Sequence, residues 1–244
     1  MIKIGVIGDL HGRDKWKVFQ DKLDEYEKIV FMGDFVDSFD KSDNQIFRNL
    51  QEILQFKESN DKKVVLIYGN HDIQYYLDDY SRARASGFRP SMLIKLKNIF
   101  KVHEKSFCIS YQYEDTLFTH GGFLTGFYNQ LSRIIKMEED ENYSDYLNKV
   151  WKNKPYVLLT VSSYRGGSDP YSGPFWTDWI ELTNQRTFLP VNQVVGHSAR
   201  YGGQSKKINK KNFLLDVDIL DQENSYYEII FDTNTSFVKK VISL

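Results

Sequence analysis

At 244 residues, with 41% hydrophobic and 27% charged side chains, the chain suits a soluble globular protein of one large domain or two small ones. A net charge of −1 gives no field to hold nucleic acid non-specifically, no apolar run approaches membrane-spanning length, and the one cysteine, Cys108, cannot form an internal disulfide. Cys108 reads as a buried filler in Phe107-Cys108-Ile109, and because the fold is expected to begin at Ile2, no signal peptide precedes it and a cytoplasmic address is the default.

The first predicted element is a short apolar strand carrying Ile2, Ile4, Val6 and Ile7, and it ends in Gly8-Asp9-Leu10-His11-Gly12. A helix is expected over Arg13 to Leu23, with Trp16, Phe19 and Leu23 at helical spacing. Lys28-Ile29-Val30-Phe31-Met32 is a second buried strand, ending in Gly33-Asp34-Phe35-Val36-Asp37. A helix with Ile46, Phe47, Leu50, Ile53 and Leu54 on one face follows. Val64 to Tyr68 is a third strand, ending in Gly69-Asn70-His71-Asp72. Strands alternating with helices predict a parallel sheet. Each strand delivers a glycine and then metal-type side chains at its carboxyl end, the edge where ligands collect in open α/β sheets.

The second half is less regular. Ser81 to Lys101 is expected to be helical in part, broken before Pro90. Phe107 to Tyr113 and Thr116 to Thr119 read as paired strands around Glu114-Asp115, the second ending in His120-Gly121-Gly122. Thr125 to Tyr146 reads as one surface helix, with Glu138 to Glu141 as a solvated face. Arg165 to Pro174 is a long loop rich in Gly, Ser and Pro, a kind uncommon unless functional or disordered. Gln193 to Val195 is a strand ending in Gly196-His197-Ser198, and three strands from Phe213, Tyr226 and Phe237 onward suggest one antiparallel or mixed C-terminal sheet. No composition break marks a domain linker, so residues 1–244 are expected to form a single domain.

Of five histidines, His11, His71, His120 and His197 each follow a predicted strand beside glycine, while His103 has no such context and reads as an ordinary surface residue. With Asp9, Asp34 and Asn70 in matching places, this set exceeds one tetrahedral zinc. It suits manganese, iron or zinc, and it suggests two metals about 3.5–4 Å apart bridged by a carboxylate.

The five glycine-bounded motifs, in this order over residues 1 to 200, resemble those of the calcineurin-like metallophosphoesterases, closest to phosphoprotein phosphatases and their bacterial and phage relatives. The resemblance implies an α/β fold of two mixed β-sheets packed face to face and flanked by helices. It implies that Asp9 and His11 bind a first metal, that Asp34 bridges, and that Asn70, His120 and His197 bind a second. Manganese is the expected ion, with iron or zinc as alternatives. His71 would be the general acid, oriented by Asp37. The cations would acidify a shared water, and the resulting hydroxide would attack a phosphomonoester, including phosphoserine or phosphothreonine in proteins.

Two departures from the phosphoprotein phosphatase pattern stand out. Arginines that grip the substrate phosphate are replaced by Ser38 and Tyr68, so Arg165 becomes the candidate clamp, with Arg13 and Arg200 as alternatives. The third motif ends in Asp72 rather than glutamate, as it can in diadenosine tetraphosphate hydrolases, which makes a dinucleoside polyphosphate hydrolase the alternative reading. A nuclease fits less well, given the charge and the Ser198-Ala199 that follow His197. A non-catalytic scaffold would be expected to show gaps in the ligand set, and there are none. The expected partner is a phosphorylated protein or small phosphoester, with no membrane and no nucleic acid.

Overall fold

The structure is a computed structural model that describes residues 1–78, 84–199, 203–209, 212–218, 225–231 and 238–243. Contacts divide the chain into two compact units, residues 1–107 with 219–244, and residues 108–218. The fold is mixed α/β with two mixed sheets and flanking helices.

In the first unit, β1 (Ile2–Ile7), β2 (Lys28–Phe31) and β3 (Val64–Ile67) pair in parallel, as expected from three buried apolar runs separated by helical sequence. Ile4, Val6, Ile7, Ile29, Val30, Phe31, Leu66 and Ile67 are fully buried. The expected helix after β1 is a single 3₁₀ turn, Lys15–Lys17, followed by the short α1 (Val18–Lys22). Trp16 packs on Phe31 and Phe56 and donates from its indole N–H to Asn49 Oδ1 at 2.8 Å. The next helix, α2 (Asp43–Ser59), buries Ile46, Leu50, Ile53 and Leu54 of the predicted face, while Phe47 is only half-buried. It starts at a capping box, with Ser42 Oγ accepting the Gln45 N–H and Gln45 Oε1 accepting the Ser42 N–H. The third motif opens α3 (Asn70–Tyr76), and α4 (Leu93–Val102) begins past Pro90, where the sequence breaks a longer helix; positions 81–83 of that expected helix lie outside the described residues.

The sheet of this unit has the order β11-β10-β1-β2-β3-β4, in which β10 (Ser225–Phe231) pairs antiparallel with β1 and with β11 (Val238–Ser243). The expected single strand from Phe107 to Tyr113 is two strands in different sheets, β4 (Phe107–Cys108) and β5 (Ser110–Tyr113). Cys108 is half-buried.

In the second unit, β5 and β6 (Thr116–Thr119) form the expected hairpin. The sheet runs β5-β6-β7-β9-β8, with β7 (Asn192–Val195) parallel to both neighbours and β8 (Ser205–Lys207) an exposed polar edge strand that no hydrophobic pattern announces. The three C-terminal strands do not share a sheet. Strand β9 (Phe213–Asp216) joins the second unit, whereas β10 and β11 extend the first. The expected helix over 125–146 is also two helices, α5 (Thr125–Leu131) and α6 (Tyr143–Asn153). Asn142 caps α6 through the Asp145 N–H, and the acidic stretch lies in the connection, where Lys149 pairs with Glu141 at 2.7 Å and Glu138 at 3.8 Å.

Removing the hydroxyl that caps α2, in Ser42→Ala, is expected to lower stability by about 1 kcal/mol. Denaturant unfolding should show a reduced midpoint with an unchanged slope.

Candidate metal centre

In the first unit, backbone geometry brings three motifs onto Asp34. Its carbonyl accepts the N–H groups of Leu10 and His11 at 3.2 and 2.7 Å, and its Oδ1 accepts the His71 N–H at 3.0 Å. Two glycines make this approach possible. A Cβ on Gly33 would lie 2.5 Å from Gly69 N, and one on Gly69 would lie 2.0 Å from Asp34 Oδ1. Asp72 braces the same junction, accepting the Phe35 and Gly69 N–H groups, each at 2.9 Å. Asp9 and Asn70 are buried at the ends of their motif turns.

Among the described residues, non-glycine positive φ angles occur at His11 (46°), Asp34 (52°), Asp37 (60°), Glu114 (50°) and His197 (69°). Four of these five are residues that the motifs single out. Left-handed backbone is costly for a side chain with a Cβ, and it concentrates where function requires it.

The side chains around Asp34 have the spacing of ligands rather than of hydrogen-bond partners. His11 Nδ1 lies 3.1 Å from the carbonyl oxygens of Val36 and Asp37. Carbonyls only accept, so Nδ1 carries the hydrogen and the Nε2 lone pair faces Asp34 Oδ2 at 3.7 Å. His71 Nε2 faces the same oxygen at 3.9 Å. One donor atom from each of His11, Asp34 and His71 lies within 4.8 Å of the others. Ligands about 2.0–2.2 Å from one ion stand roughly 3–4 Å apart, so this donor set fits a transition-metal ion. His71 thus joins a cluster that the motifs alone assign to Asp9, His11 and Asp34.

Protonation is divided sharply within this cluster. Burial lowers the His11 pKa from 6.5 to about 4, which keeps the imidazole neutral and able to bind a metal. Burial also works against charge on His71, but the Asp34 charge and the Asp37 hydrogen bond outweigh it and raise its pKa. Burial raises Asp37, against the hydrogen bonds from His71 and Tyr75. Burial and the neighbouring Asp34 charge raise Asp72 well above the usual carboxylate range. A cation would relieve the repulsion among these carboxylates.

In the second unit, His120 and His197 follow β6 and β7, and their rings stand 5.0 Å apart. The Gly196 N–H donates to the His120 carbonyl at 2.7 Å, tying the two turns together. Arg165 backs this pair. Its Nε lies 2.9 Å from Asp178 Oδ2, and its Nη2 donates to the His197 carbonyl at 3.2 Å and to Ser198 Oγ at 3.0 Å. Asp178 caps α7 (Trp179–Thr183). The carbonyl of a left-handed residue is thereby held by a charged donor.

The two positions that lack the expected arginine, Ser38 and Tyr68, carry no positive charge. Ser38 is buried, with its Oγ donating to Asp40 at 2.7 Å, and Tyr68 turns into the core and stacks on Phe107 at 4.5 Å. Arg13 pairs with Asp40 at 3.0 Å, and Arg200 lies outside the described residues. His103 pairs with Glu58 at 3.3 Å and belongs to neither histidine pair. The sequence reading missed the braces Asp178, Gln74 and Tyr75. The last two were detectable on α3, three and four residues after His71 and so on its face of the helix.

A carboxylate and imidazole cluster at the strand ends of an α/β fold defines a candidate metal-binding site. The family model for calcineurin-like phosphoesterases matches residues 2–220, and the chain belongs to that family; it is a phosphoester-hydrolysing enzyme of a dimetal-dependent group. No curated protein sequence matches it. Its fold is similar to that of a cold-active protein-tyrosine phosphatase from a psychrophilic Shewanella species, at 16% identity and a TM-score of 0.58 over 100% of this chain and 80% of that one. A second structure of a cold-active protein tyrosine phosphatase gives 18% identity and 0.58 over 100% and 79%. A metallophosphoesterase from Sphaerobacter thermophilus gives 14% and 0.48 over 99% and 88%. Likeness at these identities shows the fold alone. Among the described residues, no helix is long and apolar enough to cross a membrane.

In the metal-free protein, NMR titration is expected to place the His11 midpoint near 4 and that of His71 above 6.5. The His11 contribution to stability is present above pH 6.5 and declines as pH falls toward 4, because the unfolded chain takes up the proton first. The His71 contribution has the opposite sign. It is present below 6.5 and declines as pH rises through the higher folded-state value. Urea unfolding across pH, with His11→Gln as control, should show the acid-side decline shrink in the variant.

Proposed function

We propose that the protein hydrolyses phosphomonoesters, with a phosphorylated protein or a small phosphoester of the cytoplasm as substrate. The observation that carries this reading is the His71–Asp37 pair beside Asp34: His71 Nδ1 donates to Asp37 Oδ2 at 3.2 Å, which leaves Nε2 as the outward atom. A raised pKa suits a group that must hold a proton and then release it to a leaving oxygen. We assign Asp9, His11 and Asp34 to one ion and Asn70, His120 and His197 to the other, with Asp34 shared. Motif order supports this assignment, as does the ligand-ready tautomer of His11. Carboxylate and imidazole donors together suit manganese, iron or zinc, and we propose manganese. When bound, the ions supply Lewis acidity toward water and phosphate oxygens. We read residues 1–244 as one metallophosphoesterase domain, a reading supported by the family match across both units.

The dinucleoside polyphosphate alternative rests on Asp72. That side chain is fully buried and its oxygens brace two backbone N–H groups, a packing role that accounts for its identity without reference to substrate.

Metal analysis with a leaving-group series tests the function. His71→Asn is expected to keep near-normal metal content while turnover of poor leaving groups falls by roughly 10²–10⁴. Aryl phosphates with acidic leaving groups should lose much less. Loss of metal in this variant would make His71 a ligand instead.

Arg165 as phosphate clamp would act through Nη1, since Nε and Nη2 serve Asp178, His197 and Ser198. Arg165→Ala is then expected to lower kcat/KM by about 1.5–3 kcal/mol, with Arg165→Lys recovering part. A raised KM with normal metal content marks the clamp. Reduced metal content with unchanged KM marks support of His197 alone.

A further inference from the structure

We infer that Gln74 and Tyr75 are positioning residues for the proton-donating pair, fixing the Asp37 carboxylate so that His71 keeps its hydrogen on Nδ1 and presents Nε2 outward. The inference rests on the reading of His71 as leaving-group acid. Asp37 has two oxygens, and both are engaged. Oδ2 accepts from His71 Nδ1 and from Gln74 Nε2, and Oδ1 accepts from the Tyr75 hydroxyl. His71, Gln74 and Tyr75 all stand on α3, so one short helix supplies the three donors.

The directions of these bonds are set by chemistry. The far end of the Gln74 amide accepts the Ala85 N–H at 3.0 Å, which only an oxygen can do, so the nitrogen must face Asp37. The Tyr75 oxygen accepts the Arg89 N–H at 2.7 Å, so its own hydrogen is directed to Asp37. The Phe88 ring stacks on Tyr75 at 5.0 Å. The Arg89 guanidinium then returns to the turn after Asp37, donating to the carbonyls of Ser38 and Lys41 and pairing with Asp43. The circuit closes: α3 holds Asp37, residues 85–89 hold α3, and Arg89 holds the chain that carries Asp37. A glutamine and a tyrosine placed only to fill the core would bury polar atoms at a cost. Here each bridges the carboxylate to a backbone N–H.

This arrangement limits the carboxylate to one rotamer despite the left-handed backbone of Asp37. With the carboxylate free to turn, the imidazole could exchange its tautomer or rotate, and the proton would no longer sit on the line to a leaving oxygen.

Tyr75→Phe removes one oxygen from a buried ring, and Gln74→Met removes the amide at similar volume. In the metal-free parent, ¹⁵N NMR should show the His71 Nδ1 hydrogen retained through the neutral and mildly alkaline range. Either variant should show partial loss of it. In the metal-loaded enzyme, kcat should fall about tenfold for alkyl phosphates with KM unchanged, and much less for aryl phosphates with acidic leaving groups. Retained Nδ1 hydrogen together with a uniform loss across leaving groups would overturn the inference and leave a packing role. If the parent hydrolyses no phosphoester, the proposed function falls, and the NMR comparison still decides whether Gln74 and Tyr75 position His71. A His71→Asn variant with no leaving-group dependence would remove the acid role while the parent remains an active phosphoesterase.

Discussion

One residue is pulled from three directions. The Asp34 carbonyl receives the first motif through Leu10 and His11, its carboxylate receives the third through the His71 N–H, and its own φ of 52° turns the chain so that both are possible. The carboxylate is therefore aimed by main-chain geometry rather than by side-chain packing. Packing alone could let it swing between rotamers. The buried His71 N–H would lose this acceptor in the swing, which resists it by roughly 1–3 kcal/mol. The absence of side chains at Gly33 and Gly69 is the condition for the contact, since any Cβ there would occupy the space the Asp34 oxygen and the Gly69 nitrogen need.

Electrostatics follows from that convergence. Drawing strand ends together gathers Asp9, Asp34, Asp37 and Asp72 out of water, where burial and the Asp34 charge raise the proton affinity of Asp37 and Asp72. Backbone N–H groups offset part of this cost at Asp34 and Asp72. His11 meets the cluster as a neutral ring whose Nδ1 hydrogen is directed at the Val36 and Asp37 carbonyls, so it adds a lone pair and no positive charge. A site with concentrated negative charge and an inward lone pair favours cation binding, and such binding is coupled to folding.

What the sequence makes readable follows from the range over which each interaction acts. Strands β1 to β3 stand out because a strand buried on both faces is a continuous apolar run, and each is punctuated by glycine. The residue types of the site were readable for the same reason. The division of 125–146 into two helices was not, since no glycine or proline lies between Leu131 and Tyr143, where the helix breaks. There the break comes from the Asn142 cap and from contacts such as the Tyr146 hydroxyl donating to the Ile135 carbonyl at 2.7 Å. Consecutive strands β9 and β10 look alike locally and pair in different sheets, because a strand's pattern states that it is buried and not against what. Arg89 and Asp178 acquire meaning only through partners distant in sequence, and no local pattern marks them, whereas Gln74 and Tyr75 share the His71 face of α3 but gain their role only from contacts with Asp37, Ala85 and Arg89.

The left-handed backbone at His11, Asp34, Asp37 and His197 changes what a mutational scan of this protein can report. Alanine at any of these positions removes a functional group and also places a residue poorly suited to that φ, so loss of chemistry and loss of local conformation arrive together. A β-branched substitution compounds the problem. Asparagine is nearly isosteric with aspartate and among the side chains that tolerate the left-handed region best. At Asp34 and Asp37 it therefore separates charge from shape, whereas the same positions scored with alanine would overstate the contribution of the carboxylate.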